Sequence, residues 1–183
     1  MAALALAACA GPKEDGLTAV NPHPEATGQP HPEFVRKVAL KQRDDERWSC
    51  VPFARELSGI SLRGDAWVWW DKAAHAGYAR GRSPREGAVM VFSRTSRLTR
   101  GHLSVVSAVL GPREVLVDHA NWGDTYATRG QQYWGVRVID VSKANDWSAV
   151  RVWWAPGDVM GSRVYAVQGF IYNDLTVAQN TVE

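Results

Sequence analysis

Cysteine is scarce in this chain: among 183 residues only Cys9 and Cys50 carry a thiol. Two cysteines cannot build the disulfide framework of a small secreted scaffold. A surplus of one charge is also missing. Lys and Arg total 21 against 19 Asp and Glu, a formal net charge of +2. The chain therefore lacks the basic footprint that holds nucleic-acid phosphates. No run of about 18 apolar residues occurs, so no segment is written as a spanning helix. Internal repeats are absent. Tryptophan is the abundance, with nine in all. A hydrophobic share of 45% beside 22% charged residues is the balance of one globular domain with some tail left over. Trp is large and amphipathic, so part of this set is expected to line a groove.

The termini read differently from the middle. Residues 1–10 form an Ala- and Leu-rich run that includes Leu6-Ala7-Ala8-Cys9. This resembles a lipoprotein-type signal remnant, though without the basic residues that open such signals. It implies export to the cell envelope or periplasm, with a lipid on Cys9 as the one route to membrane attachment. A Cys9–Cys50 bridge is disfavoured for the same reason. Residues 11–32 are rich in Gly, Pro, Asn and Thr and read as an extended linker. The folded domain is expected over 33–172, followed by a tail over 173–183.

Within that domain, a short helix is expected over 34–43 and a second over 50–60. Pro52 suits the first turn of the second, and Gly59 is its stop. A third is expected over 66–76, with Asp65 as N-cap and Gly77 at its end. Short apolar runs then predict strands over 88–92, 103–110, 115–120, 136–141 and 150–154, with a last edge strand over 169–172. Gly111-Pro112-Arg113-Glu114 separates the second and third runs, which reads as an antiparallel hairpin. Helices first and strands after predict an α+β fold.

Chemistry concentrates on few residues. Cys50 opens its helix, where the helix dipole and unpaired N–H groups favour a thiolate and so lower a thiol pKa. The same N–H groups can hold the oxyanion of a tetrahedral intermediate. His102 opens one hairpin strand, and His119 and Asn121 end its partner. With a loop of two or four residues, His102 faces odd-numbered partner positions, so His119 and Asn121 share its face, as does Ser104. A catalytic imidazole needs a third group to fix its tautomer, and either His119 or Asn121 can serve. Asp118 has the opposite parity and should point away. Cys50, His102 and His119 make a poor zinc set without a carboxylate or second thiolate. Asp44, Asp45 and Glu46 lack the spacing of a calcium loop. No metal and no cofactor is expected.

The run Trp48-Ser49-Cys50-Val51-Pro52-Phe53-Ala54, followed by Asp65-Ala66-Trp67 and Trp70, resembles the first half of a CHAP domain. That name stands for the cysteine, histidine-dependent amidohydrolase/peptidase branch of the NlpC/P60 papain-like superfamily. Pro84 and Gly87-Ala88-Val89-Met90-Val91-Phe92 resemble its strand entry, and Gly101-His102-Leu103-Ser104 its histidine strand. Asp118-His119-Ala120-Asn121-Trp122 resembles its third-residue strand. The resemblance implies N-terminal helices packed on a central antiparallel sheet, with Cys50 as nucleophile and His102 as base. Many CHAP domains carry Glu where this chain has His119. Related NlpC/P60 enzymes use a His there, so His119 and Asn121 both stay candidates for the orienting role. Trp122 and Trp67 are the expected substrate contacts. The implied partner is peptidoglycan or a peptide amide, cleaved through an acyl-thioester. An inactive module that binds wall peptides, or an amidase for a small peptide-like amide, are the other readings.

Overall fold

The computed structural model describes residues 46–123, 125 and 128–175. The expected signal, the linker, the helix over 34–43, Cys9, Asp44 and Asp45 lie outside the described residues. Two helices come first: α1 (Cys50–Ser58) and, after a 3-10 turn at Ala66–Val68, α2 (Trp69–His75). Eight strands follow: β1 (Tyr78–Gly81), β2 (Val89–Phe92), β3 (His102–Gly111), β4 (Glu114–Ala120), β5 (Gln132–Asp140), β6 (Ala149–Trp154), β7 (Val159–Met160) and β8 (Tyr165–Leu175).

The order of elements matches the expectation, but strands dominate. All pairings are antiparallel, in the order β1-β8-β2-β3-β4-β5-β6-β7, and β6 also pairs with β8 through Ala149↔Ala166 and Val150↔Tyr165. Strands β8, β2, β3, β4, β5 and β6 therefore close a barrel-like ring, with β1 and β7 as additions outside it. Closure corrects one expectation. The last strand is not an edge: β8 pairs with β1, β2 and β6 along its length. It runs to Leu175, which is why a four-residue apolar run understated it.

Two cores lie on the two faces of the sheet. On the outer face, Phe53, Ala54 and Leu57 of α1 and Trp69 and Ala73 of α2 pack on Val89, Val91, Leu103, Val105 and Ile171. On the other, Met90, Phe92, Val106, Val117, Val138, Val152, Val167 and Phe170 pack with Trp147. Strand β2 is buried on both faces, so its sequence shows no polar alternation. Burial of each large apolar side chain here contributes about 1.5–3 kcal/mol. The helix α1 stops at Gly59, whose φ of 76° lets its N–H bond back to the Arg55 carbonyl at 2.9 Å.

Asp65 makes no side-chain cap. Its carboxylate instead pairs with Arg100 at 3.4 Å, and the chain after it starts as a 3-10 turn.

Candidate active site

Ser49 precedes α1 in an extended conformation and makes no side-chain cap. The first N–H groups of the helix are thus left for the Cys50 sulfur. The thiol sits against the backbone N–H groups of Leu103, Cys50 and Val51, so the His102–Leu103 peptide lies beside it. Burial pushes the thiol pKa up, the negative charge of Asp65 adds to this, and the three N–H groups oppose it. The net direction is upward. This corrects the expectation of a lowered pKa: desolvation of the thiolate at this half-buried position outweighs the helix start.

The two histidines meet. His102 Nε2 lies 3.0 Å from His119 Nδ1, with both residues buried. Register explains it. The two-residue turn at Pro112-Arg113 pairs Gly111 with Glu114, and two one-residue shifts along the hairpin give Val105↔Asp118. Parity at the site is therefore the one a two-residue loop dictates, and His102 and His119 share a face. Asp118 points the other way, accepting from the Gly135 N–H at 2.7 Å. No hydrogen bond joins Cys50 Sγ to either imidazole among the described residues.

Aromatic rings wall the pair. The Trp122 ring centroid is 4.7 Å from that of His102 and 5.3 Å from that of His119. Phe92 packs on His102 and Tyr133 on His119. Tyr165 backs Trp122 at 5.0 Å. These rings exclude water, and desolvation lowers both imidazole pKa values: His119 to about 3, and His102 well below its ordinary 6.5, where His119 adds repulsion. Both rings are neutral at physiological pH. Phe92, Tyr133 and Tyr165 come from three separate strands, and no local sequence signal marks them as neighbours of the site.

Asn121 is not with the pair. Its φ of 62° ends the strand's alternation, and its Oδ1 accepts from the Gly130 N–H at 2.9 Å. The Gly130 carbonyl in turn accepts from the Trp48 N–H at 2.9 Å. Asn121 thus ties the end of β4 to the segment that enters α1.

Trp67, in the 3-10 turn before α2, is exposed at 36%, whereas Trp69 at the start of α2 is fully buried. The Arg94 guanidinium stands 5.4 Å from its ring centroid. The Trp67 backbone N–H donates to the Arg100 carbonyl at 3.1 Å. Gly101 packs so closely here that a Cβ on it would lie 2.9 Å from Trp67 N and from the Phe92 carbonyl oxygen, and its φ is 67°. Only glycine fits before His102. His75, at the end of α2, is exposed.

Residues 41–121 match the CHAP domain family. That match takes in 81 of the chain's 183 residues. The matched stretch holds Cys50, His102, His119 and Asn121, and stops one residue before Trp122. Among solved structures, the domain is similar to an N-acetylmuramoyl-L-alanine amidase from Staphylococcus aureus. That similarity has 17% identity and a TM-score of 0.41, and covers 57% of this chain and 29% of that one. No match was found among curated proteins. The CHAP stretch spans α1 through β4, so β5 to β8 complete the barrel from sequence outside it.

Proposed function

We propose that the protein is a cysteine-dependent amide hydrolase of peptidoglycan with a papain-like arrangement. On this reading it cleaves either the amide joining muramic acid to the stem peptide or a bond within the peptide. The observation that carries this reading is Cys50 at the start of α1, its thiol against the Leu103 N–H, beside a His102 whose Nε2 meets His119. The match of residues 41–121 to the CHAP domain family supports the substrate class.

The pKa directions favour a neutral resting pair over a preformed thiolate–imidazolium. His102 Nδ1 takes the thiol proton as Sγ attacks the carbonyl carbon, and helix N–H groups hold the oxyanion. Collapse passes that proton to the leaving amine. Water, deprotonated by His102, then hydrolyses the thioester and restores the thiol. His119, rather than Asn121, orients His102 in this scheme. Trp122 and Trp67 flank the substrate. Export, with a lipid on Cys9, would bring the enzyme to the wall; equal membrane partition of wild type and Cys9→Ser would exclude the lipid.

One observation favours a second reading, a CHAP-like module that binds wall peptides without cutting: the raised thiol pKa. Digestion of purified peptidoglycan followed by mass spectrometry separates the two, since new termini identify the bond. Wall hydrolysis retained by Cys50→Ala would refute the enzyme reading's nucleophile.

A further inference from the structure

Two buried polar atoms on the imidazole face have no hydrogen-bond partner among the described residues: His119 Nε2 and Ser104 Oγ. Both residues are essentially inaccessible, at 1% and 0% exposure. They belong to one place. Ser104 follows His102 by two residues on β3, so it shares that face. The register Val105↔Asp118, continued by one residue, sets Ser104 opposite His119. Directly opposed side chains in an antiparallel pair have Cβ atoms about 4.5–5.5 Å apart.

Proton accounting makes the juxtaposition consequential. A neutral imidazole carries one N–H. For His102 to receive the thiol proton on Nδ1, its own N–H must sit on Nε2. That N–H then donates to His119 Nδ1 across the 3.0 Å contact. His119 must in consequence carry its proton on Nε2. In the opposite arrangement His119 Nδ1–H donates to His102 Nε2, His102 is protonated on Nδ1, and it cannot act as base. The productive state therefore needs an acceptor for His119 Nε2–H. Tyr133 packs its ring on His119, but its hydroxyl turns to Gln131 Oε1, to which it donates at 3.1 Å, and does not meet His119 Nε2.

We propose that Ser104 is a positioning residue for the histidine pair. Its hydroxyl accepts from His119 Nε2–H through one bridging water, and so selects the tautomer in which His102 Nδ1 is free to take the Cys50 proton. This rests on the cysteine-hydrolase reading for its catalytic consequence, but not for its tautomeric one.

The test compares Ser104→Ala, Ser104→Thr and Ser104→Val by imidazole 15N NMR of the full chain and by wall hydrolysis. Thr keeps the hydroxyl; Val has Thr's shape without it, which controls for packing and folding. Wild type and Ser104→Thr are expected to show His119 protonated on Nε2. Ala and Val are expected to shift His119 toward the Nδ1-protonated form and to lower kcat about tenfold with KM unchanged, the rate equivalent of one hydrogen bond. An unchanged His119 tautomer in both Ala and Val overturns the proposal, even if activity falls. If no variant and no wild type cuts the wall, the function reading fails while the NMR comparison still decides the Ser104 role.

Discussion

His102 Nε2 and His119 Nδ1 lie 3.0 Å apart in a buried, aromatic-walled contact. The partner of His102 is thus a second neutral ring and not a carboxylate. A neutral ring fixes orientation but stabilises an imidazolium less than a carboxylate does. The two histidines should therefore differ in weight. His102→Ala is expected to lower kcat by about 10²–10⁴, the usual span for a lost general base. His119→Ala should cost about 10–100-fold, through misorientation of a base that is still present. Steady-state kinetics on purified wall fragments checks both; equal losses would show that the second ring does more than orient.

Burial of the same pair has a stability consequence. The folded-state pKa of His119 is about 3 and that of His102 is well below 6.5, while the unfolded chain titrates near 6.5. Below that value the unfolded state binds more protons than the native one, so stability rises with pH across the window. The contribution is complete above pH 6.5 and is lost as pH falls toward 3. Urea midpoints should drop between pH 7 and pH 4, and His119→Phe should flatten that slope. This range lies above the titration of Asp146, whose hydrogen bonds from Ser148 hold its pKa near 2. A midpoint independent of pH between 7 and 4 would contradict the buried neutral pair.

The thiol gives a third expectation. Because desolvation dominates over the helix N–H groups, Cys50 is protonated at neutral pH in the free protein. Iodoacetamide should modify it slowly at pH 7, with a rate that climbs through and beyond pH 9. Asp65→Asn should bring that climb to lower pH, since its charge opposes the thiolate. Rapid alkylation below pH 7 would mean that a thiolate–imidazolium pair forms without substrate.

The sequence carries the helix opened by Cys50, the hairpin and the shared face of His102 and His119. Each follows from a local rule: Pro52 and Gly59 bracket the helix, and strand parity survives the two register shifts because they come in a pair. What it does not carry is set by long-range contact. Ring closure depends on β8 reaching β6, β2 and β1, and nothing near residues 165–175 announces three partners. The thiol pKa departs from the helix-start expectation for the same reason: helix position is local, whereas desolvation depends on the strand packed against it. Asn121 has the expected strand parity, yet its left-handed φ turns it to Gly130.

That turn assigns Asn121 a mechanical part that substitution can isolate. Its Oδ1 holds Gly130, and Gly130 holds Trp48, two residues before Cys50. Asn121→Gly accepts the same φ but removes the acceptor, so backbone strain does not confuse the result. The loss should be about 1 kcal/mol of stability, as for one partly buried hydrogen bond, with kcat reduced severalfold. Asn121→Asp keeps an oxygen toward Gly130 and should retain both, although left-handed backbone suits Asn somewhat better. Thermal denaturation and kcat measured on the two variants check this. If Asp fails as badly as Gly, the amide nitrogen of Asn121 matters and the residue acts on substrate or on His102 rather than on the entry to α1.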